Sequence, residues 1–386
     1  MKKFIFFLAF ITGMVANSQV GVDTIFHDST KEFTFVSDDG GGKYTVSGPG
    51  SGNDGFLAIY DENMPPNSRW EVKDFPPRTD LGSVHEARLY HAYTLSSGTT
   101  IAYGIVANNS STSWDAIRRY ENGVSSYSQE LIVQANVTIF PPIGDGLYAR
   151  VFLGNNGNAW NLTPGEYLVK IDPQDLSSPE WIYQLPQDHV IEINDILIST
   201  AKVYRYAVQL LPNGNIAVHV VHGGDWVDEL WEFDPTTGQK LGAIDDSYTD
   251  YDRDGVAEMQ YRFHRWKVVN GVLYHEFWQD PAAYPDDQQI GHWEKLEVPG
   301  YTPGGSTTWD PANLQVTAVS DWETYDSFGM VFSDFSVESD GTLKSGGYKL
   351  SPKLEPTTGE DIFYGWSGSI RDSWVRPNGD LSLIHI

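Results

Sequence analysis

From about residue 24 to the end, apolar positions come in short runs rich in Val, Ile, Tyr, Phe and Trp. Within many runs they alternate with polar residues, and Gly, Asn, Asp and Pro punctuate them. An alternation with period two marks strands half-buried in a sheet, whereas an amphipathic helix repeats every three to four residues. Helical periodicity is hard to find, so an all-β chain is predicted. No linker-like break divides it, and residues 19–386 are expected to form one domain.

Aligning the tight turns exposes a repeat. Residues 203–221, VYRYAVQLLPNGNIAVHVV, run strand, turn, strand, with the turn at Gly214. The same hairpin recurs around Gly98, Gly146, Gly271 and Gly379, with weaker copies at Gly55 and Gly341. Asn-Gly and Asp-Gly tolerate the positive φ angles that tight hairpins need. The turns are about 54 residues apart on average, enough for a four-stranded unit.

A second hairpin follows several of the first. Residues 168–185 resemble residues 230–244, each turning at an Asp-Pro, and residues 24–37 look like a third copy. The chain ends at Ile386, just after an inner hairpin that lacks an outer one. A seven-bladed β-propeller accounts for both ends if the N-terminal strands complete the last blade and close the ring.

Residues 1–18 carry two lysines, an apolar run over 4–15 and a small Ala-Asn-Ser end. That is the pattern of a secretory signal peptide, so a secreted or periplasmic protein is expected. No later run is long and apolar enough to insert in a membrane. Cysteine is absent, which excludes disulfides, thiolate catalysis and thiolate zinc sites. The formal net charge of −27 repels nucleic acid and anionic membranes, and neither is expected as a partner. The chain is expected to act as a monomer.

Basic residues nevertheless gather in one place. Of the twelve arginines, Arg88, Arg205, Arg262, Arg265, Arg371 and Arg376 fall in the strands that open the repeats. In a propeller those strands line the axis, and their starts lie at the mouth opposite the turns. Guanidinium forks match carboxylates and sulfates, so an anionic carbohydrate is the expected ligand. The competing expectation is that these arginines bridge neighbouring blades through buried ion pairs.

The same strand starts supply His85, Glu86, Tyr90 and His91, then Tyr204, then Tyr261 and His264. Elimination at a uronic acid needs its carboxylate neutralised, a base for the adjacent proton and an acid for the leaving oxygen. Arg88, Arg205 and Arg371 are candidates for the carboxylate, His85 or His264 for the base, and Tyr204 or Tyr261 for the acid. His219, His222 and His275 are second-strand alternatives. Trp226, Trp278 and Trp366 are candidates to stack on sugar rings. No G-x-S-x-G elbow, H-E-x-x-H pair or P-loop is present, and Gly40, Gly41 and Gly42 read as a flexible loop.

Asp250, Asp252, Asp254, Gly255 and Glu258 spell D-x-D-x-D-G-x-x-E. Carboxylates at alternate positions around a sharp glycine turn suit Ca²⁺. Position twelve is Tyr261, so an EF-hand is ruled out. The motif resembles the short calcium loops of integrin-type propeller blades. That resemblance implies side-chain ligands from Asp250, Asp252, Asp254 and Glu258 and a carbonyl from Val256, in a structural role.

In layout the chain resembles the secreted propellers of polysaccharide degradation, including ulvan and other uronate lyases and oligosaccharide dehydratases. The resemblance implies a carbon–oxygen lyase that cleaves a glycosidic bond or dehydrates a terminal uronate. It covers layout alone, and no family motif is matched residue by residue. A glycoside hydrolase on the same scaffold and a non-catalytic glycan-binding propeller remain open.

Overall fold

The computed structural model describes residues 35–49, 54–65, 68–85, 87–109, 112–144, 146–191, 207–222, 227–245, 261–279, 290–320, 324–325, 335–345, 348–355, 370–375 and 381–385. Among them there is no α-helix, and a single 3₁₀ turn spans Pro311–Asn313. Every other element is a strand, and all pairings are antiparallel between neighbours in sequence or nearly so.

The strands form seven sheets in succession along the chain, over residues 35–75, 88–133, 136–184, 189–245, 261–325, 335–350 and 370–385. The first three sheets are four-stranded meanders, the fourth and fifth have five strands, and the last two have three and two among the described residues.

The turns follow from local chemistry. Asn270 and Gly271 have φ of 52° and 87°, and Val269 pairs with Val272 across them. Two successive positive φ angles give the mirror-image turn whose twist matches a hairpin. Gly98 and Gly341 also take positive φ between the first and second strands of their sheets, and Gly214 does so between the paired strands Val208–Leu210 and Ile216–His222. The outer hairpins at 168–185 and 230–244 join the last two strands of the third and fourth sheets, as expected.

The first sheet departs from expectation. Its opening turn is at Gly41 and Gly42, with φ of 62° and 78°, between Phe35–Gly40 and Lys43–Pro49. The glycine run is therefore a tight hairpin turn, where only residues without a Cβ accept such φ cheaply. Gly55 instead begins the third strand, Gly55–Asp61. Residues 35–37 pair with Thr45, Val46 and Ser47 in this sheet and are not part of an outer hairpin. Residues 24–34 lie outside the described residues, as do residues 1–18, the predicted signal peptide.

The core lies between successive sheets. Leu57 and Phe75 of the first pack with Leu89 and Ala102 of the second. Tyr93, Ile101 and Ile117 of the second meet Val137, Val151 and Val169 of the third. Phe140, Tyr148 and Leu168 meet Val218, Trp231 and Phe233 of the fourth. Leu230, Trp266, Trp293, Phe335 and Leu343 continue this through the fifth and sixth. The second to fifth sheets thus pack on both neighbours, at about 1.5–3 kcal/mol for each large aliphatic or aromatic side chain buried.

Charged groups stitch the same interfaces. The Arg118 guanidinium is fully buried, hydrogen-bonds Glu130 and donates to the Pro76 carbonyl at 2.7 Å. It sits between the Phe75 and Tyr127 rings, 4.4 Å from each centroid. Lys73 in the first sheet donates to the Glu121 and Val124 carbonyls of the second. Glu166, paired with Arg150, accepts from the Ile191 amide of the fourth sheet at 2.8 Å. Inter-sheet bridging is thus the established role of Arg118. Neither it nor Arg150 belongs to the strands that open the sheets.

Candidate functional site

The second sheet is where the candidate site is described most fully. Arg88 begins its first strand, Arg88–Thr94, and is exposed, as is Tyr90 at 40%. Leu89 and His91 are buried. His85 is half-buried just ahead, its Nδ1 3.3 Å from the Arg78 carbonyl oxygen. The Arg78 guanidinium forks onto Asp80 at 2.6 and 2.7 Å and also meets Glu130, which ties this lead-in segment to the sheet. The Arg78 contact holds the exposed Asp80 carboxyl down at about 2. Arg88 and His85 therefore lie near one another in the chain and at the same end of the sheet.

The register of this strand contains a bulge. Leu89 pairs with Gly104 and His91 with Tyr103, so Tyr90 is the extra residue. An added residue bends its strand and re-aims the side chains around it, and such bulges collect beside functional sites. The backbone closes tightly here. A Cβ on residue 104 would lie 2.1 Å from the Arg88 carbonyl oxygen and 2.8 Å from the Leu89 Cα.

The same irregularity recurs. In Tyr261–Val269, Phe263 pairs with Phe277 and Arg265 with Glu276, leaving His264 as the extra residue. In Ile370–Val375, Ile370 pairs with His385 and Asp372 with Ile384, leaving Arg371. These are the first strands of the second, fifth and seventh sheets. Tyr90 lies eight residues ahead of the turn at Gly98 and His264 seven ahead of that at Gly271, and Arg371 precedes Gly379 by eight residues in the sequence. Three equivalent places in three sheets thus hold a tyrosine, a histidine and an arginine. His264 and Arg371 were singled out by their position in the sequence. The register places them together as equivalents and adds Tyr90.

Behind the Tyr90 bulge lies a buried aromatic and polar node. The Tyr103 ring is 5.7 Å from the Tyr90 ring and 6.3 Å from His91, nearly parallel to the latter at 26°. The Tyr103 hydroxyl donates to Asp115 at 2.5 Å, and the Val137 amide of the third sheet approaches it at 3.4 Å. Ser113 donates to the other Asp115 oxygen at 3.1 Å. Burial raises the Asp115 pKa above the usual carboxylate range, against the pull of its two hydroxyl donors. Burial and the adjacent carboxylate push the Tyr103 hydroxyl up well above its ordinary value. Tyr103 and Asp115 carry no signature that sequence reasoning detects, because neither belongs to the strand that opens the repeat.

The second-strand histidines behave differently. His219 and His275 are buried within the sheets, and His275 Nε2 lies 2.7 Å from Glu294 Oε2 on the adjacent strand. The same bulge register places Glu276, next to His275, opposite Arg265. A packed imidazole paired with a buried carboxylate is a core arrangement, so His275 does not line an opening. For Tyr261 and His222 the strand position is described. Tyr204, Arg205, Glu86, Trp226, Trp366 and the loop Asp250, Asp252, Asp254, Val256 and Glu258 lie outside the described residues. Among the described residues, no group of three His, Asp or Glu side chains is placed to hold a metal ion, and no helix is long and apolar enough to cross a membrane.

No family model matches the chain, and no curated protein matches it. Several solved structures show a weak similarity to the chain. An ulvan lyase, described as a polysaccharide lyase, is 8% identical with a TM-score of 0.37, over 79% of this chain and 74% of that one. Prolyl oligopeptidase B from Galerina marginata is 11% identical with a TM-score of 0.43, over 81% and 38%. An endo-arabinanase from Bacillus licheniformis is 12% identical with a TM-score of 0.27, over 69% and 93%. Such low identities and scores decide nothing about chemistry.

Proposed function

We propose that this protein is a secreted seven-bladed β-propeller that acts as a carbon–oxygen lyase on uronic-acid-containing carbohydrate. One observation carries the reading. Three first strands have a bulge, and the added residues are Tyr90, His264 and Arg371. These are the side-chain types that elimination beside a carboxylate requires. Successive antiparallel sheets, the second to the fifth of which pack against both neighbours, suit a propeller. On this reading residues 24–34, the part of the expected 24–37 hairpin outside the described residues, would complete the last blade.

In the proposed reaction Arg371, with Arg88 and Arg205, pairs with the uronate carboxylate and acidifies the neighbouring carbon-bound hydrogen. His264, or His85, takes that proton. The electron pair of the broken C–H bond forms a carbon–carbon double bond as the carbon–oxygen bond beyond it breaks. Tyr90, Tyr204 or Tyr261 supplies a proton to the departing oxygen. The products are an unsaturated uronate and either a new chain end or water, which balances atoms and charge. The substrate is an anionic poly- or oligosaccharide drawn to arginines clustered within an otherwise acidic chain.

The loop at Asp250, Asp252, Asp254, Val256 and Glu258 is proposed to bind Ca²⁺ in a structural role, because its oxygen donors and glycine turn suit that ion. Residues 1–18 are proposed to direct export, and the exported protein to act as a monomer.

The test is incubation of the purified protein with uronate polysaccharides and their oligosaccharides. Ultraviolet absorbance detects the unsaturated product, and mass spectrometry separates chain cleavage from loss of water. H264A and R371A are expected to remain folded and to lose that product by a factor of about 10² or more. Reducing ends released without ultraviolet absorbance would identify a hydrolase instead. Binding with no product would identify a glycan-binding protein.

A further inference from the structure

Tyr103 shares a cluster with the exposed Tyr90, yet it is only 3% exposed and its hydroxyl faces Asp115. It therefore has no access to a substrate of its own. Its contacts run in four directions. The ring lies against Tyr90 and against His91, the two residues at the bulge. The hydroxyl reaches Asp115 on the third strand of the same sheet and the Val137 amide on the first strand of the next. One residue further along the chain, Gly104 receives the backbone of Arg88 and Leu89 so closely that no Cβ fits.

We infer that Tyr103, held by Asp115 and Val137, is a positioning residue that fixes the Tyr90 bulge and so sets where Arg88 and Tyr90 are presented. This inference rests on the lyase reading for its effect on turnover, though the clamp itself does not. A bulge is a local break in the ladder, and what holds it in one geometry must come from outside the strand pairing. Here the hydroxyl bonds fix the far end of the ring, and the ring supports the bulge from its buried side. Small displacements of a group that meets substrate are costly to turnover. A loosened clamp therefore acts on kcat through Tyr90 and Arg88.

Tyr93 provides the matched control. It lies on the same strand as the bulge, is 1% exposed, and its hydroxyl donates to the Ile139 carbonyl of the third sheet at 3.2 Å. Y93F and Y103F each delete one buried hydroxyl and keep the ring. Hydrogen–deuterium exchange is followed across residues 88–94 in wild type and both variants, alongside kcat and KM on the best uronate substrate. Y103F is expected to speed exchange at the bulge about tenfold and to lower kcat about tenfold with little change in KM. Y93F is expected to leave both the bulge exchange and kcat at wild-type levels. Equal exchange at the bulge in Y103F and Y93F overturns the clamp, whether or not the protein acts on uronates. Faster exchange in Y103F with unchanged kcat in an active enzyme overturns its positioning role. If wild type forms no unsaturated product, the lyase reading fails and the exchange comparison alone decides for or against the clamp.

Discussion

The carbonyl oxygen of Arg88 occupies the space that a side chain on Gly104 would need. A Cβ there would lie 2.1 Å from that oxygen, well inside contact distance, and the neighbours are backbone atoms that cannot rotate away. This close approach falls beside the Tyr90 bulge, where Leu89 pairs with Gly104. G104A must push the strands apart or erase the bulge. Overpacking of this kind costs about 1–3 kcal/mol. Urea denaturation of G104A should show a loss in that range, and a variant as stable as wild type would mean that the bulge relaxes freely.

Arg118 is the most committed of the buried charges. Its guanidinium lies between two aromatic rings, bonds Glu130 through two nitrogens and caps the Pro76 carbonyl with a third. Removing one member of a buried ion pair leaves the other desolvated without compensation, which costs about 3–5 kcal/mol. Arg78 also reaches Glu130, so R118A is expected at the lower end of that range. R118M keeps the packing between Phe75 and Tyr127 and should recover part of the loss. Chemical denaturation of both variants measures it, and a loss below about 1 kcal/mol for R118A would assign Arg118 to the surface-like pairs that contribute little.

The turns were the part of the fold most legible in the sequence. The turns at Gly98, Gly214, Gly271 and Gly341 were legible because a tight hairpin needs positive φ, and few residues other than Gly supply it. The outer hairpins at 168–185 and 230–244 were legible from their shared Asp-Pro turns. The first sheet was misread because three consecutive glycines suit a loop as well as a turn, and only the pairing of Gly40 with Lys43 decides between them. The bulges were invisible for a related reason. A bulge is a relation between two strands, and Tyr90, His264 and Arg371 reveal themselves only against Gly104, Phe277 and His385 and their neighbours. The burial of Arg118 and Lys73 has no sequence signal, because burial of a cation depends on partners from another sheet.

The Asp115 carboxyl makes a prediction about pH. Burial raises its folded-state pKa above the value it has in the unfolded chain. The folded protein therefore holds that proton more tightly, and stability falls as pH rises from the ordinary carboxylate range through the raised value. Above that range the ionised carboxyl is a net cost. D115N keeps an oxygen to accept from Tyr103 and removes the titration, and its amide can donate to Ser113. The variant should be more stable than wild type near neutral pH, and the advantage should vanish as pH drops below the carboxylate range. Thermal melts of both proteins across that interval provide the check. A wild-type advantage that persists near neutral pH would show that the Tyr103 and Ser113 bonds outweigh the burial of charge.

The acidic motif at Asp250, Asp252, Asp254 and Glu258 leads into the strand Tyr261–Val269, whose bulge holds His264. If the loop binds Ca²⁺ in the folded state alone, occupancy adds stability by mass action, about 2.7 kcal/mol at a hundredfold excess over Kd. Calcium should therefore raise the melting temperature of protein freed of metal, and chelation should reverse it. D252N and D254N, made together, should abolish the response by removing two of the hard ligands. Magnesium is expected to substitute poorly, since it demands stricter geometry and gives up its water reluctantly. A melting temperature indifferent to calcium in the wild type would leave the motif as a solvated acidic turn. A response that survives in the double variant would place the ion elsewhere in this acidic chain.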